Sequence, residues 1–504
     1  MKQEDLTKFS GKAFKDFLIR LGKNPSQGRE KVSLKTRISR HITANIPLVS
    51  ANMLDITEAT MAIAFARMGG LGVIHKDWSI DRQAQEVAKV KRAQNCIIEN
   101  PHCIPASENI QNAINFMDKE GIGGILVTDE NGRLAGIITT RDVKFSRKID
   151  KDLVKEFMTP RESLIVGNSN TTTEEAWQVF QNKKIEKLPL VDEDFKITGL
   201  ISLKDTFNLH RYPQINLDKK GKLVVGAAIG ATGDYLERAK ELLKAGANII
   251  FMDIKSGHSE IGLNAIRESR KRLGGFELVA GNVATSEAVS DFINEDVDGV
   301  KIGYGPGGAC TSRIVTGCGV VQMEAIVESY WNQIFKFKRD PKDIPPLGAD
   351  GGIRSSGDAN KALLGGASWV MVGTYVAGTY QTPGPVLRRI ERKTDNSETL
   401  IEKIVEYKEY RGEASEFLVG ERIERSGREK NAEEIFSRTP EGTKKQVDLS
   451  GSVYDKLRLM IGGIQSGISD AGYMSLEEAK NNFDPATQFG SPLSVAGQDE
   501  TYNR

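Results

Sequence analysis

Residues Pro346–Thr374 read PLGADGGIRSSGDANKALLGGASWVMVGT. Two short apolar runs, Pro346–Asp350 and Ser368–Gly373, flank a helical pattern over Ser356–Leu364. Both runs are too short for helices and lack polar alternation, the pattern of strands buried on both faces. Strand, loop, helix and strand in that order make the unit of a parallel α/β sheet. Each run ends in a glycine-containing loop, Asp350-Gly351-Gly352 and Gly373-Thr374, so close backbone approach to a ligand is expected at the strand ends.

The same unit recurs on both sides. Short apolar segments occur at Ile46–Ala51, Leu71–Ile74, Leu223–Ala228, Ile249–Asp253, Glu277–Gly281 and Gly299–Gly303, most followed by a polar or glycine loop and a helix such as Asp234–Leu243. With the two runs above they make eight strands. Eight suit a (β/α)8 TIM barrel; an open doubly wound sheet is the alternative arrangement.

Composition narrows the function. The chain has 504 residues, 69 Lys and Arg against 68 Asp and Glu, and a formal net charge of +1. That balance gives no general attraction to nucleic acid or to an anionic membrane. No apolar run is long enough to span a bilayer, and Met1–Asp5 is polar, unlike a signal peptide, so a cytoplasmic location is expected. The four cysteines, Cys96, Cys103, Cys310 and Cys318, show no close CxxC pair and no histidine spacing for zinc. Free thiols in a reducing compartment are therefore expected.

An internal repeat interrupts the strand–helix series. Gly124–Val143 reads GILVTDENGRLAGIITTRDV and Leu188–Thr206 reads LPLVDEDFKITGLISLKDT. Asp129, Gly136 and Asp142 recur as Asp192, Gly199 and Asp205, a constant offset of 63 residues. Helical stretches, Asn109–Glu120 and Thr173–Lys183, precede the two copies. Such self-similarity marks a duplicated unit that buries its apolar face against its twin. The repeat resembles a tandem cystathionine-β-synthase-type (CBS) pair over about residues 93–212. That resemblance implies a cleft for ATP or GTP and a regulatory role; a purely structural insert is the other reading.

Chemistry is expected in the loops. After the strand Val300–Gly303 comes Gly303-Tyr-Gly-Pro-Gly-Gly-Ala-Cys310-Thr-Ser-Arg313. Glycines let backbone groups face an ion or phosphate, and a cysteine ending such a loop can be exposed and activated as a nucleophile. A free cysteine can equally be a buried small hydrophobe. Cys96, Cys103 and Cys318 lack that setting. Asp350 is a candidate for ribose hydroxyls and is unsuited to phosphate.

These loops carry a specific resemblance. GPGGACTSRIVTG, GADGGIRSSGD, AGNVAT (Ala280–Thr285), YRGEASE (Tyr410–Glu416), IPLVSANM (Ile46–Met53) and GGLGVIHK (Gly69–Lys76) resemble the IMP dehydrogenase/GMP reductase family from about residue 40 onward. The resemblance implies a (β/α)8 barrel split as 1–92 and 213–504, with the CBS pair inserted over 93–212 and a mobile flap near 418–446. It implies a homotetramer or octamer. It implies a cysteine, here Cys310, that attacks C2 of a purine mononucleotide, and a nicotinamide cofactor, NADPH or NAD, that exchanges hydride there. By motif, Gly305, Gly307 and Cys310 would offer carbonyls to a monovalent cation, K⁺. Ser50, Asp350, Gly352, Gly373, Thr374, Tyr410, Gly412 and Glu413 would surround the nucleotide. Asp253, Asn282 and Gly303 would face the cofactor. Two positions depart from the family: Gly308 stands where it has Ser, and Ser312 where it has Thr.

Two reactions remain open within the family. The dehydrogenase needs a base for water, which the family supplies as an Arg-Tyr pair on the flap. No Arg-Tyr occurs between Val419 and Gln446; aligned by Asn431-Ala432, the pair falls on Arg425-Ser426. The reductase needs a proton donor for departing ammonia. The segment Ala414–Phe417 resembles the reductase one, which makes Glu416 the acid and Ser312 its relay. The Pro440-Glu441-Gly442 segment and the inserted repeats are commoner among dehydrogenases. GMP reductase is the leading expectation, IMP dehydrogenase the alternative, and a catalytically weak nucleotide-sensing homologue the third.

Overall fold

The computed structural model describes residues 1–25, 28–94, 98, 101–146, 150–394, 400–412, 415, 441–490, 493–495 and 497–498. The chain divides into two compact units, Met1–Ala93 with Gln214–Asp218 and Leu223–Arg504, and Gln94–Pro213 with Lys219–Lys222.

In the first unit eight strands close into a parallel barrel: β1 (Leu48–Ser50), β2 (Leu71–Ile74), β3 (Val225–Ile229), β4 (Ile249–Asp253), β5 (Leu278–Val283), β6 (Gly299–Ile302), β7 (Leu347–Asp350) and β8 (Trp369–Val372). β8 pairs with β1, Val370 opposite Leu48 and Val372 opposite Ser50, which excludes the open sheet. Phe251 and Trp369 meet edge-on inside, with ring centroids 6.0 Å apart. The outer helices begin where a hydroxyl can take an orphan backbone N–H: Ser79, Ser259, Thr285 and Ser355 each cap one. At the amino-terminal end of the barrel, the short hairpin Thr36–Arg37 with Thr43–Ala44 leads into Ile38, whose carbonyl accepts from Trp369 Nε1 at 2.9 Å.

Beyond β8 lies a sheet that the sequence pattern does not announce. Leu387–Thr394, Leu400–Arg411 and Lys444–Asp448 form three antiparallel strands. Their sequences are dominated by charge, and the register explains how they pair: Arg388 faces Glu406 and Arg392 faces Glu402, each as an ion pair. The last of these strands begins inside the segment expected as flap. Residues 418–440 of that segment lie outside the described residues, but Lys444–Gln446 are strand, opposite Glu409–Arg411.

The second unit is built twice over. Asp129 accepts the N–H groups of Asn131 and Arg133 at 2.9 and 2.8 Å; Asp192 accepts those of Asp194 and Lys196 at 3.0 and 2.8 Å. The same turn thus recurs at the sequence offset of the repeat. A bridge pairs Arg133 with Lys196, and a small core joins Leu126, Leu134 and Ile137 to Val191 and Leu200. Each copy therefore covers apolar surface of the other. Among the described residues, no helix is long and apolar enough to cross a membrane.

Candidate active site

The carboxyl ends of the barrel strands surround a cavity of about 180 Å³. Active sites of this architecture form at that end, on the loops after the strands. β6 delivers the cysteine loop, β7 Asp350 and Gly351, β4 Asp253, and β5 Asn282; Tyr410 and Gly412 arrive from the antiparallel sheet.

Arg313 fixes the cysteine loop. Its Nε donates to Tyr304 O at 2.8 Å and its Nη2 to Val320 O at 2.5 Å. Gly305, at φ +73°, lies where a Cβ would press on the Arg313 side chain at 2.8 Å. Gly351, at φ +88°, packs as closely on Pro306, so the Asp-Gly-Gly loop and the cysteine loop hold each other. From the other side, Thr443 N–H donates to Ala309 O and Gly412 N–H to Thr443 O, tying the antiparallel sheet to the loop. Cys310 is half-buried; Cys103 and Cys318 are exposed free thiols, and Cys96 lies outside the described residues.

A line of polar groups starts at the sulfur. Cys310 Sγ donates to Ser312 Oγ at 3.3 Å. Ser312 is buried beside the Glu441 carboxylate, which is ion-paired with Lys255. Lys255, followed by Ser312, holds that carboxyl below the usual carboxylate range. Glu441 is a residue that sequence reasoning misses. It comes beside the cysteine loop because Gly442 bridges to Cys310 and Glu441 O accepts from Thr311 N–H at 2.8 Å.

Lys301 is also missed. Its ammonium, buried within the barrel, contacts Asp350 at 2.8 Å and Asp253 at 3.2 Å. Asn282 Nδ2 donates to the same Asp350 Oδ2 at 2.9 Å, leaving Oδ1 without a protein partner among the described residues. Burial opposes the charge of Asp253, but Lys301, Lys76 and an Asn52 hydrogen bond outweigh it and hold the carboxyl well below its ordinary value. A lysine inside the apolar strand GVKI is the signal that could have found this network.

The remaining sequence candidates divide. Gly303, Gly305, Gly307, Cys310, Ser312, Asp253, Asn282, Asp350, Tyr410 and Gly412 all line the cavity. Thr374 and Gly373 stand just behind Tyr410, whose hydroxyl is 3.3 Å from Thr374 Oγ1. Gly352, at φ +78°, continues the turn after β7. Ser50 is fully buried against Thr57, and Ala51, Asn52 and Met53 take the cavity wall beside it. A Cβ on Gly308 would press on Thr374 Oγ1 at 2.7 Å, so the departure at Gly308 leaves Thr374 its place. Glu413, Glu416 and Arg425 lie outside the described residues.

A nucleophile-bearing loop at the mouth of a closed α/β barrel, beside paired carboxylates, is the setting of an enzyme. The IMP dehydrogenase/GMP reductase domain model matches residues 11–501, and the chain belongs to that family of NAD(P)-dependent oxidoreductases of purine metabolism. It is 38% identical over 473 residues to the inosine-5′-monophosphate dehydrogenase of Nitrosopumilus maritimus, covering 94% of each chain. It is 39% identical to that of Aquifex aeolicus over 89% of this chain and 87% of the relative. A crystallised GMP reductase variant of Trypanosoma brucei in complex with guanosine 5′-monophosphate superposes with a TM-score of 0.82 at 32% identity. That match covers 98% of this chain and 97% of the other.

Proposed function

We propose that this enzyme is a GMP reductase, converting GMP, NADPH and two protons to IMP, ammonium and NADP⁺. The observation that carries the reading is the chain of contacts Cys310–Ser312–Glu441. Cys310 sulfur attacks C2 of the purine while its proton passes through the Ser312 hydroxyl to Glu441. Lys255 keeps Glu441 ionised at rest, ready to receive it. Once protonated, the relay is an acid. In that state it can protonate the C2 amine as it leaves as ammonia. Glu441 thereby takes the role that the family resemblance gives to Glu416. At the end of the cycle Cys310 leaves C2 as a thiolate.

A bound nicotinamide cofactor supplies the hydride. The pocket fits such a group: Asn282 Oδ1 is buried without a partner, an acceptor suited to a carboxamide, and Asp253 and Gly303 stand beside it. Asp350, through its open Oδ1, holds ribose, while Gly352, Gly373, Thr374, Tyr410, Gly412 and Glu413 enclose the phosphate end. The carbonyls of Gly305, Gly307 and Cys310 are hard, neutral donors suited to K⁺. The second unit is a CBS pair that binds ATP or GTP and regulates the barrel; its duplicated Asp129 and Asp192 turns support that reading. A homotetramer or octamer completes the proposal.

The names of the sequence relatives favour IMP dehydrogenase as the second reading. Against it stands the absence of an Arg-Tyr pair between Val419 and Gln446. Purified protein given GMP with NADPH, and separately IMP with NAD, decides. NADPH consumption with ammonia release is expected; NADH formation from IMP with no reductase activity would overturn the proposal.

A further inference from the structure

A second cavity, of about 660 Å³, lies at the opposite, amino-terminal end of the barrel. Its wall is formed by the start of β7, the turn before β8, the Thr36–Ala44 region and the helix Leu476–Asn482. It shares no lining residue with the cavity at Cys310.

The charge inside it is one-sided. Lys35, Arg37, Lys342 and Lys480 face Asp340 and Glu477. Lys342 is paired with Asp340 at 3.2 Å. Among the described residues, no carboxylate is paired with Lys35, Arg37 or Lys480. Lys480 Nζ donates to Ser368 Oγ at 2.7 Å, and Ser368 is fixed by Thr36, whose hydroxyl donates to its carbonyl at 2.7 Å. Burial, and then the charge of Arg37, push Lys480 down to about 7. Arg37 and Lys480 are like charges that act on each other across this cavity, and an anion between them removes that repulsion. Beside the charges, Tyr330 and Ile344 offer an apolar wall. The volume lies within the usual range for a small-molecule site.

We propose that this basal cavity binds a phosphorylated metabolite, its phosphate held by Arg37, Lys480 and the Ser368 hydroxyl and its organic part against Tyr330. The ligand sits on the far side of the barrel from the chemistry. It acts as a stabilising effector that does not compete with substrate. Lys480 regains its proton as the phosphate enters.

Calorimetry on the full-length protein at pH 7.5, in two buffers of different ionisation enthalpy, tests this with ribose 5-phosphate and inorganic phosphate as probes. Substrate-site binding of either probe is common to all variants, so the signal is the part lost on substitution. Arg37→Ala and Lys480→Met should each weaken ribose 5-phosphate binding at least tenfold at one site. Lys480→Met should also abolish a fractional proton uptake. Arg37 is exposed on a short hairpin, so its variant stays folded even if Lys480→Met does not. Turnover without ligand should match the parent in both. Equal binding and proton uptake in parent and Arg37→Ala would overturn the site. Inorganic phosphate binding there as tightly as the ester would overturn its assignment to a metabolite.

Discussion

Lys301 Nζ lies 2.8 Å from Asp350 Oδ2, joining the middle of β6 to the end of β7 in the wall of the catalytic cavity. Asp253 completes the cluster at 3.2 Å from the same ammonium. Three charges gathered in this wall are stable because the ammonium offsets both carboxylates. Lys301→Met would leave two half-buried carboxylates without their shared cation, a loss of up to about 3–5 kcal/mol. A fall in thermal stability of that order is expected, together with loss of nucleotide affinity. Adding Asp253→Asn to the same chain should recover part of the stability. An unchanged melting temperature in the single variant would refute the argument.

The same cluster fixes an acid limit. The Asp253 carboxyl is held below its ordinary value, so its contribution is fully present above the unfolded value near 3.9. It is lost as pH falls through the lower folded value. Asp253→Asn should therefore flatten the decline of stability below about pH 4 relative to the parent. A melting-temperature profile between pH 6 and pH 3 measures this.

Cys310 is expected to form the bond to C2. Its loop is pinned on three sides, by Arg313, by Gly351 against Pro306 and by Thr443, so removing the sulfur should not loosen it. Cys310→Ala should abolish turnover and leave GMP binding within about twofold, since the lost group contributes little ground-state affinity. Mass spectrometry of the parent after acid quenching during turnover should trap a nucleotide adduct that the variant lacks.

The cysteine loop should respond to alkali cation. Gly307 O already accepts from Cys310 N–H at 3.1 Å, and Lys445 donates to Gly308 O at 2.5 Å, so two carbonyls of the loop are held in place. A large, weakly hydrated ion satisfies such carbonyls better than a small one. Initial rates should be higher in KCl than in LiCl at equal ionic strength. Equal rates would remove the cation from the scheme.

What the sequence makes legible follows from the range of each signal. The barrel strands are local apolar runs, and IIFMD over Ile249–Asp253 reads directly as β4. The repeat is likewise visible, because Asp129 and Asp192 organise their turns through neighbours two and four residues on. Lys301 and Glu441 are hidden for the opposite reason. Lys301 meets its partners across strands from distant parts of the chain, and Glu441 reaches Ser312 only after the antiparallel sheet folds back on the cysteine loop. The strands of that sheet escape pattern reading because ion pairs such as Arg388–Glu406, rather than an apolar face, register them.

Ser312 and Glu441 should decide the reaction. A positioned acid or base is typically worth about 10²–10⁴-fold in rate. Glu441→Gln keeps the shape and the Ser312 contact but can neither take the thiol proton nor return it. GMP reduction should fall by about that factor with GMP affinity nearly unchanged. Ser312→Ala breaks the path midway and should cost a similar amount, and the double variant should cost little more than either alone, as members of one unit are not additive. Ser312→Thr restores the hydroxyl and should retain activity, which a merely structural role for the position would not require. Glu416→Gln and Arg425→Ala serve as comparisons. If Glu416 is the acid, its variant will show the large loss and Glu441→Gln will not. If the enzyme is a dehydrogenase, Arg425→Ala will leave a burst of NADH from IMP followed by slow hydrolysis, and the reductase proposal falls.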